Sequence, residues 1–307
     1  MVTKSDGTDA CDTNGETGSE NCRHDGAHII DVSEKGSYQC PGGCGNNITV
    51  ADNCATSEYS YSHLVGSFFR FKDGVTEQAG INFLQSTTRV YVYYYPSGYN
   101  RIPLLIYLLE LSDKWYQRTS IDSVEWNEVE GTKPGGPTNS SEIIQLLKDI
   151  LPTVTVNVGY KTGLETSESS TSYEDNSEGG EEGKQRINVK RKNIEAHGEG
   201  PKYVGFTHSV QDKTYFVVKD VQYNTSTLPG IPLTFILTSV TAYYSDGPKF
   251  TLKNLLLVGF EKRGTDQNNY VYYGRKDGGS NWTPLHDQTG KLDDTEFIKS
   301  LLNKGGT

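Results

Sequence analysis

Internal repetition is the feature that most constrains the fold of this chain. Residues 124–151 read VEWNEVEGTKPGGPTNSSEIIQLLKDIL, and residues 279–303 read GSNWTPLHDQTGKLDDTEFIKSLLN. Each stretch has a Trp, then a gap rich in Gly and Thr, and then a polar cap followed by a helical apolar pattern. A chain that repeats such a pattern is expected to build the same unit twice.

The repetition extends over most of the chain. We therefore predict a tandem duplication with a flexible N-terminal segment (1–26), repeat unit 1 (27–152) and repeat unit 2 (153–307). The matched blocks are 29–32 with 154–157, 47–50 with 186–189, 61–63 with 206–208, 68–71 with 214–218, 79–81 with 229–231, 90–94 with 240–244, 104–110 with 255–261, 115–118 with 272–275, Trp126 with Trp282, and 141–144 with 295–298.

The secondary-structure pattern is mainly β. Short β-branched and aromatic runs between turn residues predict about seven strands in each unit, and the apolar runs 103–110 and 254–262 are expected to be central and buried. Ser141 and Thr295 are placed to cap a helix at the end of each unit. The predicted fold class is mainly β (α+β in detail), with two tandem homologous β-sandwich-like units, each with a C-terminal helix.

The units differ at the predicted connection between their first strands. Unit 1 has a Cys-Pro-Gly-Gly-Cys turn, whereas unit 2 has the Ser/Glu/Gly-rich stretch 163–184, which we predict to be a disordered loop. All the cysteines lie in the first part of the chain, where disulfides, a zinc site with nearby histidines and free thiols are all possible. These cysteines are Cys11, Cys22, Cys40, Cys44 and Cys54.

The overall charge excludes one class of function. The net charge of −10 argues against nonspecific nucleic-acid binding, which requires a basic surface. The sequence also has no signal-peptide pattern and no apolar run long enough for a membrane-spanning helix. We expect a secreted or surface location if a signal-bearing N-terminus precedes this sequence, and a cytoplasmic location otherwise.

No motif predicts a catalytic, metal or cofactor site. His63 and His208 fall at the same repeat position, each after a hydroxyl residue. Adjacent residues of a strand point to opposite faces, so neither His is expected to activate its neighbour, and a structural role is favoured. Glu110 and Glu261 also recur, and solvated strand ends are the favoured interpretation.

Paired Arg and aromatic residues are the candidate binding residues. Such residues can bind anions or stack on sugars, although a Trp at a repeated position is more often part of a core. The candidates are Trp115, Arg118, Trp126, Tyr272, Arg275 and Trp282.

The order of the blocks resembles multi-copy, repeat-bearing proteins of piroplasm (Theileria-type) parasites. The resemblance rests on Asn21-Cys22, on 30–33, and on the Tyr/Phe-Ser/Thr-His, Val-x-Val-Tyr-Tyr and Pro-Leu-Leu-Ile blocks. It implies a secreted or surface-exposed protein that faces the host, an antigen without a known activity.

The predicted function is that of a non-enzymatic tandem-repeat β-rich module that mediates host-facing or extracellular interaction. The expected partner is a host or parasite protein or a glycan, with no cofactor, no nucleic acid and no membrane span. The alternative is a carbohydrate- or anion-binding module that uses exposed Tyr, Trp and Arg side chains.

Overall fold

A computed structural model shows that the chain is mainly β, which confirms the predicted class. The chain divides into two compact units, Met1–Ser97 with Arg101–Leu146 and Gly98–Asn100 with Leu147–Thr307, which we call the first and second units. The division falls after Leu146, close to the predicted boundary after Pro152. The structure describes residues 28–41, 47–52, 60–64, 69–82, 87, 89–96, 101–109, 113–164, 169–175, 184–194, 203–232, 235–245, 249–264, 269–275, 280–285 and 290.

The first unit contains one large antiparallel sheet and one small sheet. The large sheet has the order β10-β9-β8-β7-β4-β3-β2, and the small sheet has the order β1-β5-β6 with β1 and β5 parallel. The strands are β1 His28–Asp31, β2 Tyr38–Gln39, β3 Asn47–Asp52, β4 Ser60–Leu64, β5 Phe69–Asp73, β6 Thr76–Gln78, β7 Arg89–Tyr95, β8 Ile102–Leu109, β9 Lys114–Arg118 and β10 Trp126–Glu128.

The second unit repeats this strand order. Its main path is β12-β13-β14-β17-β18-β19-β20, and β11, β15 and β16 pair beside it, with β15 also pairing β17. The strands are β11 Thr153–Asn157, β12 Ser170–Glu174, β13 Arg186–Ile194, β14 Tyr203–Val210, β15 Phe216–Tyr223, β16 Ser226–Thr227, β17 Ile236–Ser245, β18 Leu255–Lys262, β19 Tyr270–Arg275 and β20 Trp282–Pro284. Each strand of the first unit thus corresponds to the strand numbered ten higher, as a duplicated chain would produce.

Apolar residues of the long antiparallel path and of the strands that pair beside it form the core of each unit. In the first unit, Ile30 of β1 and Phe71 of β5 belong to the same buried cluster as Val92 of β7 and Ile106 of β8. In the second unit, Val156 of β11 belongs to a cluster with strands β14, β17 and β18. This two-layer packing follows from strands whose apolar residues alternate toward one face.

The long apolar strands are central, as predicted. β8 pairs with both β7 and β9, and all of its residues except Leu109 are buried. β18 likewise pairs with β17 and β19. A strand between two partners and between two layers loses water on both faces, so it requires apolar residues at nearly every position.

Three of the matched blocks are shifted in the structure. Blocks 29–32, 68–71 and 104–110 need a different register, because the strand pairing places other residues opposite one another. The corrected pairs are Asp31 with Asn157, Phe71 with Val221, and Leu109 with Glu261. A β-bulge between Val154 and Thr155 is one local cause, since a bulge adds an unpaired residue to one strand.

One helix, α1, spans Ser140–Ile150 and ends before Pro152, as the sequence of the first unit predicts. The predicted cap Ser141 lies inside the helix instead. The carbonyl of Asn139 accepts the Ile143 N–H at 3.1 Å, and the Asn139 side chain donates to the Glu142 carboxylate at 2.7 Å. The cap is therefore Asn139, while the helix predicted at Thr295 lies outside the described residues, as does segment 1–26.

The acidic stretch 163–184 is not a loop throughout. β12 lies within it and pairs antiparallel with β13, so the loop prediction is wrong for Ser170–Glu174. β12 alternates small hydroxyl residues around Tyr173, whose ring packs on Tyr160 at a centroid distance of 4.6 Å. The low hydrophobicity of residues 163–184 gives no indication of this aromatic contact. Residues 165–168 and 176–183 lie outside the described part of the chain.

Cys40 is a free, buried thiol whose sulfur accepts the Ile29 N–H at 3.3 Å. It therefore behaves as a small core residue. The other four cysteines, Cys11, Cys22, Cys44 and Cys54, lie outside the described residues.

Candidate functional site

The predicted binding aromatics belong to the core. Trp115 and Trp126 are each 1% exposed, Tyr272 is 0% exposed and Trp282 is 2% exposed. A ligand cannot stack on a ring that the protein already covers. The structure therefore corrects the interpretation of these residues as an exposed recognition surface.

The two arginines hold their own unit together. The Arg118 guanidinium lies 5.7 Å from the Trp126 ring, donates from Nε to the Ser123 carbonyl at 2.7 Å and pairs with Asp73 at 2.9 Å. Arg275 lies 5.4 Å from the Trp282 ring. These contacts direct the donors inward, so they do not form an anion site.

Arg275 is bound in a similar way in the second unit. Its Nη2 donates to the carbonyls of Leu252 at 2.6 Å and Leu255 at 3.0 Å. Burial lowers the pKa of this guanidinium below its usual value. Its role is to satisfy carbonyls at the start of β18, beside the Trp that it covers.

A glycine fixes the position of each Trp. Gly80 has φ +85°, and a Cβ there would lie 2.1 Å from the Trp126 carbonyl oxygen. Gly230 has φ +92°, and a Cβ there would lie 2.3 Å from the Trp282 carbonyl oxygen. The backbone approach and the positive φ both require glycine, which explains the matched Gly-Ile pair at 80–81 and 230–231.

Glu261 is not a solvated strand end. It is partly buried, and its carboxylate accepts hydroxyl hydrogen bonds from Ser239 at 2.7 Å and Tyr270 at 2.6 Å. These contacts tie β18 to both of its neighbours. Its predicted counterpart Glu110 lies outside the described residues.

The two repeated histidines are the most unusual polar groups of the described chain. His63 on β4 and His208 on β14 are both 0% exposed. In each ring Nδ1 lies 3.4 Å from a tyrosine hydroxyl, that of Tyr38 for His63 and that of Tyr173 for His208. We call these the first and second Tyr–His pairs. Neither Nε2 atom has a hydrogen-bond partner among the described residues.

A backbone hydrogen bond determines how each Tyr–His pair is arranged. The Tyr38 hydroxyl accepts the Asp31 N–H at 2.8 Å, and the Tyr173 hydroxyl accepts the Asn157 N–H at 2.8 Å. The hydroxyl hydrogen is then free to donate to Nδ1 in the tautomer that leaves this nitrogen unprotonated. With the proton on Nε2, the tyrosine hydroxyl keeps an acceptor for its hydrogen, so this tautomer satisfies the pair best.

Asp31 extends the first pair into the neighbouring turns. Its Oδ1 accepts the N–H groups of Ser33 and Gly74, both at 3.0 Å, and its Oδ2 pairs with Lys72 at 3.1 Å. Burial opposes ionisation, but the hydrogen bonds from Ser33 and Gly74 outweigh it and lower the pKa of Asp31. Asp31 is thus a structural carboxylate.

Asn157 makes the same bonds in the second unit without a charge. Its Oδ1 accepts the N–H groups of Gly159 at 3.0 Å and Asn224 at 2.9 Å. Gln222 stands where the first unit has Lys72, as the strand register shows. An amide and a carboxylate can each accept two N–H groups, so the geometry survives the change of charge.

Burial keeps both histidines neutral. It lowers the pKa of His63 to about 4, although the nearby Asp31 charge partly opposes this effect. Burial lowers the pKa of His208 to about 3, and the positive charge of Lys161 adds to the effect. The hydroxyl residue before each His does not contact it in the described hydrogen bonds, which agrees with the structural role predicted from the sequence.

Lys161 forms an aromatic site that the sequence does not predict. Its Nζ lies 4.2 Å from the Tyr244 ring centre and 4.9 Å from that of Tyr223, and it donates to the Phe250 carbonyl at 2.8 Å. Burial lowers the pKa of Lys161 to about 8. The first unit has only Lys35, exposed and 5.1 Å from the Tyr94 ring, at this position.

The described residues provide neither a cluster of metal ligands nor a membrane-spanning helix. Among them, no three His, Cys, Asp or Glu side chains are grouped so that they could hold a metal ion. Their helical segments include none with the length and apolar character needed to cross a bilayer.

Comparison with protein-family models, with curated proteins and with solved structures finds no match to this chain.

Proposed function

We propose that the chain is a non-enzymatic, two-unit β-rich interaction module of a secreted or surface protein that faces a host. One observation carries this proposal: the chemically capable side chains that recur in the two units are used inside the fold in the same way. The Tyr–His pairs support turns, and the Arg residues cover a Trp in each unit. Such residues maintain a scaffold and leave recognition to its loops.

The loops differ at one equivalent position of this scaffold. The connection from β2 to β3 has the sequence Cys-Pro-Gly-Gly-Cys, and the connection from β12 to β13 contains Glu178, Glu181 and Glu182. A scaffold that keeps its strand order while changing one connection is typical of a binding protein. We infer that these two connections contact the partner.

The charge of the second connection defines the partner class. Residues 165–182, which span β12 and most of this connection, contain seven acidic side chains (Glu165, Glu168, Glu174, Asp175, Glu178, Glu181 and Glu182), and Glu178, Glu181 and Glu182 lie in the connection itself. A basic protein surface complements this charge, and charge complementarity mainly accelerates association and sets specificity. The resemblance to piroplasm proteins stays a prediction, and it agrees with a host protein as the partner.

Affinity capture with a matched charge control tests the proposal. The full chain and a variant with Gln at Glu178, Glu181 and Glu182 are each used to capture proteins from host-cell lysate at low and physiological salt. The control variant neutralises the exposed Glu125, Glu128 and Glu130 of the first unit instead. We expect the full chain and the control to capture basic proteins. Their binding should weaken as salt rises, and the first variant should not capture them.

Two results would contradict this function. Identical capture by all three proteins would show that the acidic connection does not recognise a partner. Turnover of a substrate by the purified chain would remove the non-enzymatic assignment. The alternative of sugar or anion binding through the paired aromatics is not retained, because Trp126 and Trp282 are buried.

A further inference from the structure

The first Tyr–His pair joins a very short edge strand to the sheet. β2 has two residues, Tyr38 and Gln39, and it is the last strand of the large sheet. β2 pairs with β3, and the hydroxyl of the neighbouring Ser37 accepts the Val50 N–H at 3.0 Å. Few contacts therefore hold this edge, and short edge elements open more easily than central strands.

The second Tyr–His pair lies on a longer edge strand. All five residues of β12 pair with β13. The ladder is extended by N–H donation from Arg191 to the Ser169 carbonyl at 3.0 Å and from Asp175 to the Gln185 carbonyl at 2.9 Å. The Tyr160 hydroxyl also donates to the Ser172 carbonyl at 3.2 Å. Opening this edge breaks more bonds.

Protonation is incompatible with the closed form of the first pair. A proton on Nδ1 would place a new N–H against the Tyr38 hydroxyl, whose hydrogen then loses its acceptor. It would also leave a cation in the core, with Nε2–H unpaired among the described residues. A charge in such a site must reach water or lose its proton.

The surroundings of His63 include one charged group that opposes this effect. Its sheet neighbours are the apolar Val50 of β3 and Val90 of β7. From β1, Asp31 is the charged group that acts on the ring, and its carboxylate is already paired with Lys72. Tyr38 from β2 remains neutral, since burial raises its pKa well above the usual value.

The surroundings of His208 add a repulsion. Its sheet neighbours are Val189 of β13 and Val240 of β17, and the turn after β11 contributes the cation Lys161. Tyr173 from β12 stays neutral as burial raises its pKa, although Asp175 lies near enough to influence it. Both closed forms therefore exclude a proton at mildly acidic pH, and the longer ladder of β12 is what keeps the second pair closed.

We propose that the first Tyr–His pair is an acid-sensitive contact that releases β2 and the turn before it in mildly acidic surroundings, while the second pair stays closed. Release would expose Tyr38. The open form gains a proton on His63 that the closed form lacks. Its population therefore grows about tenfold for each pH unit below roughly 6.5. This property belongs to the fold and does not depend on the proposed interaction function.

Hydrogen exchange of the full chain, followed by mass spectrometry between pH 7.5 and 5.0, tests the proposal. After correction for the intrinsic pH dependence of exchange, backbone opening in residues 32–41 should rise about tenfold per pH unit below roughly 6.5. Residues 170–175 should open far less than residues 32–41 at every pH in this range, because the longer β12 ladder must break first. Equal protection of residues 32–41 at pH 7.5 and pH 5.0 would overturn the proposal.

Three variants separate a titrating contact from a merely structural one. His63→Gln should abolish the pH dependence of opening in residues 32–41, whatever it does to the rate at pH 7.5. Tyr38→Phe should raise opening at every pH and keep the pH dependence, while the matched control His208→Gln should leave residues 32–41 unchanged. An unaltered pH dependence in His63→Gln would contradict the inference.

A titration of the wild-type chain covers the case in which a variant does not fold. The ring protons of His63 are followed by NMR over the same pH range. We expect the closed form to show no titration near pH 6.5, with a second, exchanging signal appearing as the pH falls. An ordinary titration of a single exposed ring would overturn the proposal.

Discussion

The two units make the same hydrogen bonds with different charges. In the first unit the carboxylate of Asp31 holds two turns and pairs with Lys72 at 3.1 Å. In the second unit the amide of Asn157 holds the equivalent turns. This position therefore requires the hydrogen-bond geometry, and the charge is present in the first unit alone.

A second difference lies beside a tyrosine whose hydroxyl makes the same hydrogen bond in both units. Tyr94 and Tyr244 donate to the carbonyls of Val32 at 2.6 Å and Val158 at 2.8 Å, respectively. The second unit adds the partly buried Lys161 against the Tyr244 ring, 4.2 Å away. One framework therefore supports a different electrostatic environment in each unit.

The largest expected effect comes from the buried tryptophans. Trp126→Ala should destabilise the first unit and Trp282→Ala the second, each by about 3–5 kcal/mol, because a large cavity replaces a side chain that is almost fully buried. Urea unfolding of each full-length variant, followed by exchange in peptides of both units, measures the effect. A single transition shared by both units and shifted by either substitution would contradict independent cores.

Acid should destabilise both units by an amount that differs between them. The folded-state pKa values of about 4 for His63 and about 3 for His208 lie below the unfolded value of about 6.5. The unfolded chain therefore binds more protons below pH 6.5, and stability is lost as pH falls. The expected losses are about 3 kcal/mol for the first unit by pH 4 and about 4 kcal/mol for the second by pH 3.

Urea unfolding at pH 7.5, 6, 5, 4 and 3 tests this difference, which develops below pH 4, where His63 but not yet His208 is protonated in the folded chain. His63→Gln and His208→Gln should each flatten the pH dependence of one unit only. Stability that is constant from pH 7.5 to 5 would show that the histidines are not buried and neutral in solution.

Lys161 and Lys35 should contribute differently to the stability of their units. Lys161→Met should lower the free energy of unfolding by about 1 kcal/mol. It removes an ammonium that lies against two tyrosine rings and donates to the Phe250 carbonyl. Lys35→Met should change stability by less than about 0.5 kcal/mol, because that side chain is exposed. Urea unfolding of both variants at pH 7 measures the contrast, and equal effects would contradict it.

The smallest expected effect comes from exchanging the charges of the turns. Asp31→Asn should cost about 1 kcal/mol at pH 7, because it removes the partner of Lys72 and keeps an acceptor for the two N–H groups. Asn157→Asp should be nearly neutral at pH 7, since the carboxylate gains two N–H donors but no Lys. Urea unfolding at pH 7 checks both, and a large loss in Asn157→Asp would show that the turns are not interchangeable.

The sequence predicted the class of fold and much of its order. The β-branched and aromatic runs predicted strands such as β7 and β17, and the uninterrupted apolar runs predicted the central strands β8 and β18. It also placed His63 and His208 at equivalent positions. These features are local or repeated, so composition and spacing are sufficient to detect them.

The register and the partners of the repeated residues required the tertiary structure. A shift of one residue changes the face of a whole strand, and a bulge such as that in β15, where Lys219 has no partner in β11, alters the count without a sequence signal. The sequence did not predict that Tyr38 and Tyr173 are equivalent, because connections of different length follow them. Their link to the histidines spans 25 and 35 residues, respectively.

By itself, the sequence determined that this chain would build mainly β units around repeated apolar blocks, because hydrophobic alternation is a property of neighbouring residues. Only the tertiary structure decided that the repeated Trp, Tyr and Arg side chains lie inside, and that each histidine is buried against a tyrosine. Burial and hydrogen bonding depend on strands that are distant in sequence. The same residue types would predict a binding surface if the sheets left them exposed.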